Sequence, residues 1–199
     1  MRDLLIATRN KGKYPEIVAG LKGLPFNFLS LNDVNAMYGF DVPETGLTFT
    51  ENALLKAQGY GARANLLTIA DDSGLEVDAL NGKPGVKSAR YAPGTDKDRY
   101  EKLLKELEDV PDERRTARFV SVIAIYDPMT FKTFRCEGVC GGSITHEPKG
   151  EHGFGYDPIF HADELGARFA ELTMEKKISA DHRGKALVKA REVLLKEFA

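Results

Sequence analysis

The sequence predicts an α/β or α+β fold built on a mixed β-sheet. Two observations predict it. Short apolar runs alternate with stretches whose apolar residues recur at helical spacing. Two extended runs, 117–126 and 130–140, flank Asp127-Pro128 as a β-hairpin, which rules out a purely parallel sheet. A chain of 199 residues suffices for one compact domain spanning 1–199, with room for two lobes.

The elements follow in order. Leu4, Leu5, Ile6 and Ala7 form a short apolar strand, and Thr8-Arg9-Asn10-Lys11-Gly12-Lys13 a polar loop. From Tyr14 to about Leu21, Ile17, Val18 and Leu21 share one helical face, with Pro15 tolerated in the first turn. Residues 26–31 predict a second strand and 32–46 a loop. Thr48-Phe49-Thr50-Glu51 is a capping box opening a helix to about Asn65. Phe49, Ala53, Ala57 and Ala64 mark its apolar face, and Glu51, Asn52, Lys56 and Arg63 its polar side. Residues 66–70 read as a buried strand, Asp71-Asp72-Ser73-Gly74 as the turn that ends it, and 75–77 as resumed extended chain. Residues 81–85 form a loop by composition, and 95–107 a charged amphipathic helix. Residues 148–158 are Gly-rich and polar. The last helix runs from about Asp181 to Phe198, with Leu187, Ala190 and Leu194 inward.

Composition narrows the functional classes. Hydrophobic content of 42% and charged content of 29% suit a soluble globular protein. A net charge of -2 offers no basic field for a nucleic-acid backbone. No apolar stretch is long enough to span a bilayer, and the N-terminus reads as a first strand rather than a signal peptide. Cys136 and Cys140 share a strand face without further Cys or His ligands nearby. They read as buried free thiols of a cytoplasmic protein.

Four segments carry chemistry. Two adjacent carboxylates, Asp71 and Asp72, end a buried strand and repel each other unless a cation or a proton joins them. A divalent metal at that edge explains them, although Asp, Ser and Gly are also ordinary turn formers. The loop from Thr8 to Lys13 links a strand to a helix, so backbone N–H groups at the helix start, with Lys11 and Lys13, suit an anion. It lacks the glycines of a Walker A loop or a dinucleotide fingerprint. In Gly-Glu-His-Gly-Phe-Gly-Tyr-Asp, residues 150–157, flanking glycines let Phe154 present its ring to a base. Asp181 can cap the last helix, whose first turn places His182 and Arg183 against the helix dipole. Each segment alone reads equally as solvated loop or helix start. Together they suit a nucleoside triphosphate with magnesium.

With these segments assembled, the chain resembles the inosine triphosphate pyrophosphatase family over nearly its whole length. The matches run in order from Thr8-Arg9-Asn10-Lys11-Gly12-Lys13 through Glu44-Thr45-Gly46-Leu47-Thr48-Phe49, Glu51-Asn52-Ala53 and the acidic 70–75 segment. They continue through Pro84-Gly85-Val86-Lys87-Ser88-Ala89-Arg90-Tyr91 and Gly153-Phe154-Gly155-Tyr156-Asp157-Pro158 to His182-Arg183-Gly184. The resemblance implies an elongated two-lobed mixed α/β fold with a long central sheet flanked by helices, and a homodimer. It implies hydrolysis of ITP, dITP and XTP to the monophosphate and pyrophosphate, which cleanses the nucleotide pool.

Carried over by residue, the resemblance gives Thr8, Arg9, Asn10, Lys11, Gly12 and Lys13 to the phosphates, with Lys13 also stabilising the transition state. Asp72 becomes proton acceptor and magnesium ligand, Glu44 a second ligand, and Asp71 their support. Ser73 touches the substrate, and Phe154, Gly155, Tyr156 and Asp157 frame the base and sugar. Lys177 is a binding lysine, and His182 and Arg183 read the base. Two positions depart from the family pattern: Asp181 stands where Ser is common, and Arg9 where Gly is frequent. The rival expectations are a pyrophosphatase of modified pyrimidine or methylated nucleotides, and a nucleotide-binding regulator without turnover.

Overall fold

Apolar runs too short for a stable helix become the inner strands of a sheet, and their burial builds the core. In the computed structural model, which describes residues 1–199, β1 (Arg2–Ile6) buries Leu4, Leu5 and Ile6 completely. The remaining strands are β2 (Phe26–Ser30), β3 (Leu67–Val77), β4 (Lys83–Pro84), β5 (Thr116–Tyr126), β6 (Thr133–Ile144), β7 (Phe160–Ala162) and β8 (Ala167–Arg168). They form one eight-stranded sheet in the order β2-β1-β3-β5-β6-β7-β8, with β4 paired to β3. β1 is parallel to both β2 and β3, whereas β4 on β3, β7 on β6 and β8 on β7 are antiparallel. The mixed sheet expected from the sequence is therefore present. The helices are α1 (Lys13–Leu21), α2 (Phe49–Ala64), α3 (Asp96–Glu106), α4 (Met174–Ile178) and α5 (His182–Phe198). No helix is long and apolar enough to cross a membrane.

The chain forms two compact units. The first comprises residues 1–72, 121–138 and 185–199, and the second 73–120 and 139–184. In the first, Ile17 and Leu21 of α1 and Leu187, Ala190 and Leu194 of α5 pack with Leu4, Ile6, Leu67 and Ile69 of the sheet. In the second, Leu75 and Val77 pack with Leu103, Phe119, Phe160 and Phe169. Arg115 is buried beside this second core without a carboxylate to bind it. Its guanidinium donates instead to the carbonyls of Leu107 (2.6 Å), Ile144 (2.8 Å) and Thr145 (3.1 Å). One cation thereby caps the C-terminal end of α3 and ties it to the end of β6.

The capping box forms as the sequence indicates. Thr48 Oγ1 accepts the Glu51 amide at 3.1 Å, and Glu51 Oε2 accepts the amides of Leu47 and Thr48 at 2.6 and 3.1 Å. The β5–β6 hairpin turns through residues 127–132, and Cys136 and Cys140 are buried free thiols on β6.

Three expectations fail. The turn at Ser73-Gly74 does not exist, because β3 continues unbroken from Leu67 to Val77. Turn-forming composition yields here to pairing on the sheet, and the acidic pair lies mid-strand. Asn52 and Lys56 do not line a solvated face of α2 either; they are 0% and 9% exposed. The short strands β4, β7 and β8 and the single-turn helix α4 are too brief to show a period, and β4 lies within 81–85, read from composition as a loop, where pairing with β3 extends the chain.

Candidate active site

Strand alternation decides what the acidic pair meets. Successive side chains of a strand point to opposite faces. Leu67 and Ile69 face the core made with α1 and α5, so Asp71 shares that side. There its Oδ2 lies 2.7 Å from Lys13 Nζ, in the first residue of α1, while Ser121 Oγ donates to its Oδ1 at 2.5 Å. Asp72 points the other way, as Thr68 does, whose side chain lies against Gly61 of α2. It meets Lys56 of α2 at 2.7 Å, and the same ammonium is 2.7 Å from Glu44 Oε1. The two carboxylates are thus separated by direction, and each has a lysine.

Burial and charge compete at these groups. Desolvation pushes the Asp72 carboxyl above the ordinary carboxylate range, and Glu44 adds to the rise; Lys56 and Lys13 offset only part of it. Desolvation also disfavours the Lys56 ammonium, but Asp72 and Glu44 outweigh it and hold that lysine above its ordinary value. A buried carboxylate more basic than a free one is suited to accept a proton from water.

The upstream loop is ordered by its own side chains. Thr8 Oγ1 accepts the Asn10 amide at 3.1 Å, and Asn10 Oδ1 accepts the Gly12 and Lys13 amides at 2.8 and 3.2 Å. Two amides that the sequence suggests for an anion are therefore engaged by Asn10. Arg9 turns to Asp41 (3.3 Å) and to the Phe40 carbonyl, and Lys11 is exposed. On α2, Asn52 Oδ1 accepts the Gly46 amide at 2.8 Å, which fixes the chain two residues beyond Glu44. A side chain at Gly46 would begin 2.6 Å from Glu51 Cβ and 2.7 Å from Asn52 Oδ1, so only glycine permits that approach.

The donor set fits a divalent cation shared with a ligand. Glu44 and Asp72 converge on one cationic centre, the Lys56 ammonium. Lys13 and Lys56 face three carboxylates, Glu44, Asp71 and Asp72. No group of three His, Cys, Asp or Glu residues is arranged to hold an ion alone. One or two carboxylates completed by phosphate oxygens is a common magnesium arrangement.

In the second unit the residues of interest are built around rings. His182 opens α5 and is 3% exposed. Its ring stacks on Phe119 at 4.7 Å and on Phe169 at 6.0 Å, each at an interplanar angle of 17°. Arg183, 1% exposed, donates to Ser73 Oγ at 2.8 Å and lies 5.8 Å from the Phe154 ring centroid. Lys177 on α4 reaches Asp157 Oδ2 at 2.6 Å, with its ammonium 5.1 Å from the centroids of both Phe154 and Phe169. The same Asp157 oxygen accepts the Phe154 amide at 3.0 Å, which fixes the loop that carries the ring. Tyr156 is part of the core, with its hydroxyl donating to the Ser88 carbonyl at 2.9 Å and its pKa raised by burial.

Asp181 caps α5, since its Oδ1 accepts the Gly184 amide at 2.6 Å. Any side chain at Gly184 would start 1.7 Å from the Ile178 carbonyl, so glycine lets the end of α4 abut the start of α5. The junction holds Lys177, His182 and Arg183 together.

Residues 4–193 match the Ham1 family. This chain belongs to the Ham1 family. It is 50% identical over 194 residues to a dITP/XTP pyrophosphatase of Desulforamulus reducens, covering 96% of this chain and 94% of that protein. The dITP/XTP pyrophosphatase of Geobacter sulfurreducens is 50% identical over 189 residues, covering 94% of each. Among solved structures, a Ham1 protein from Coxiella burnetii superposes with a TM-score of 0.88 at 39% identity, over 98% of this chain and 100% of that one. A nucleoside-triphosphatase, dITP/XTP pyrophosphatase, from Mycobacterium abscessus gives 0.75 at 44% identity, over 94% and 98%.

Within this Ham1 chain the structure groups Thr8 to Lys13, Glu44 and Asp72 in the first unit, and Ser73, Phe154 to Asp157, Lys177, His182 and Arg183 in the second. Sequence reasoning missed Asn52, Lys56 and Ser121 in the former and Phe119 and Phe169 in the latter. Asn52 and Lys56 stand four residues apart, one above the other on α2. That spacing, beside an acidic strand, was the available signal.

Proposed function

We propose that this Ham1 protein hydrolyses dITP, XTP and ITP to the monophosphate and pyrophosphate; its 50%-identical relatives are named dITP/XTP pyrophosphatases, and ITP shares the hypoxanthine base of dITP. The observation that carries the reading is Asp72. It is a buried carboxylate raised above its ordinary range, beside Lys56 and within the field of Lys13.

Asp72 accepts the proton of the water that attacks the α-phosphorus. Lys13 and Lys56 offset the negative charge that builds on the phosphate oxygens. Glu44 and Asp72 would hold magnesium, which would offset the negative charge of the phosphates. Asp71, fixed by Ser121, keeps Lys13 in place. Thr8 and Asn10 shape the loop that meets the phosphates, with Gly12 giving the chain close approach.

The second unit selects the base. Phe154 offers a ring face, and donors at His182 and Arg183 favour the 6-oxo group of hypoxanthine and xanthine over the 6-amino group of adenine. Guanine shares the 6-oxo group, so its exclusion acts at the 2-amino position. Asp181 caps α5, so its difference from the usual Ser is absorbed by the helix start. The same reading gives a cytoplasmic homodimer, which sedimentation of the purified protein checks.

A magnesium-dependent assay of dITP, XTP, dGTP and dATP with pyrophosphate detection tests the activity. Turnover of dITP and XTP far above dATP is expected. Preference for UTP or a methylated triphosphate, or tight nucleotide binding without pyrophosphate release, overturns it.

A further inference from the structure

We propose that Asp96 is a positioning residue for the base-framing loop, acting through the amide of Gly155. The inference rests on the reading of Phe154 as the ring that faces the base. Asp96 is the first residue of α3, and its Oδ2 accepts the Gly155 amide at 2.8 Å, fifty-nine residues away in sequence. Its Oδ1 is held by Arg99 Nη1 at 2.5 Å, and Arg99 Nη2 donates to the Gly94 carbonyl at 3.0 Å. Helix α3 is anchored at its other end by Arg115 on the Leu107 carbonyl. The carboxylate that reaches the loop is thus aimed by a neighbour and mounted on a fixed element.

The loop needs such a hold. Gly155 has φ +64°, a left-handed conformation that glycine adopts freely, and it brings no side chain with which to pack. On the other side of the ring, Gly153 has φ +77° and crowds Asp157 so closely that a Cβ would lie 2.0 Å from its Oδ2. The Phe154 amide is already fixed to Asp157. The Phe154 carbonyl also accepts the Asp157 amide at 3.2 Å, so the loop's internal bonds fix its turn, and the Gly155 amide bond to Asp96 is the point at which it is tied to α3. Loss of that tie lets a half-buried ring move, which lowers affinity for the base while the phosphate chemistry of the first unit continues.

Asp96→Ala and Asp96→Asn test this. Thr95 and Asp98 form the cap of α3 without Asp96, so the helix start survives both changes. The asparagine oxygen can still accept the Gly155 amide, whereas alanine cannot. Asp96→Ala is expected to raise KM for dITP about fivefold with kcat within about twofold, and Asp96→Asn to restore most of the loss. Inhibition by pyrophosphate, which lacks a base, is expected to be unchanged in both. Amide exchange at residues 153–156, measured without nucleotide, is expected to rise in Asp96→Ala only. Unchanged exchange overturns the clamp itself. Faster exchange with unchanged KM overturns the placing of the base at Phe154, and with it the role given to Asp96. Equal impairment of the two variants, or a parallel loss of pyrophosphate inhibition, overturns the positioning role.

Discussion

The two units each bury a lysine, and they surround it differently. Lys56 in the first unit lies between two carboxylates, Glu44 and Asp72, at 2.7 Å each. Lys177 in the second meets the Asp157 carboxylate and two ring faces, Phe154 and Phe169. Carboxylates give full charge and can exchange protons. Ring faces attract a cation through their quadrupole and cannot take its proton. The first arrangement suits chemistry on a charged group, and the second suits a fixed surface for a planar one. Substitutions in the two units should therefore separate in kinetics, the first changing kcat and the second KM.

The largest effect is expected at Asp72. Asp72→Asn should lower kcat for dITP by about 1,000-fold or more, since it removes the buried carboxylate that takes the proton of the attacking water. Thermal unfolding should show the fold retained, because a buried charge has been removed rather than added. Retained turnover would break the division between the units at its centre.

Next comes Lys56→Met, which leaves Glu44 and Asp72 without the cation they share. Stripping one partner from a buried ionic group costs about 3–5 kcal/mol. Urea unfolding at neutral pH should show most of that loss, and lowering the pH should recover part of it as Asp72 takes a proton. A loss below about 1 kcal/mol, the range of exposed pairs, would mean the cluster is better solvated than its burial indicates.

Asp72 also ties activity and stability to pH with opposite signs. Its carboxyl is raised in the folded protein, so the folded state binds this proton more readily than the unfolded chain does. Its stabilising contribution is complete below the ordinary value of about 3.9 and is lost as pH rises through the raised value. Turnover needs the deprotonated carboxylate, so it falls as pH drops, and a cation held at Asp72 would move that fall to lower pH. Without metal, the Tm profile should decline as pH rises through the raised value, and Asp72→Asn should flatten this part of it.

The smallest effect is expected in the second unit. Phe154→Leu removes one of the two ring faces beside Lys177 and should raise KM for dITP about fivefold while leaving kcat nearly unchanged. A fall in kcat equal to that of the first-unit variants would erase the distinction.

Much of this was legible in the sequence. The capping box at Thr48, the hairpin about Asp127 and the polar loop after Ala7 depend on local residue chemistry, and they form as local chemistry dictates. The acidic pair was visible too, but not its setting. Whether Asp-Asp-Ser-Gly turns or extends depends on pairing with distant strands, and a window of four residues does not contain that information. Lys56 hid for a related reason. On a helical wheel it belongs to the polar side, and only a second polar surface packed against that side buries it. The pairing of His182 with Phe119 and Phe169 joins residues far apart in sequence, so no spacing announces it.

The unbroken β3 strand also limits how this chain can change over evolutionary time. Asp71 and Asp72 hold different partners only because the count of residues along the strand is fixed. One residue added or deleted between Ile69 and Asp71 would turn Asp71 towards Lys56 and Asp72 towards Lys13. It would also exchange the sides of Ser73, Leu75 and Val77 relative to Leu67 and Ile69. Substitutions along this strand can be tried one at a time, whereas a single-codon insertion or deletion alters both cores and the acidic pair at once. Length variation among functional descendants of this sequence should therefore gather in connections such as residues 38–43 and 145–152, and leave 67–77 at constant length.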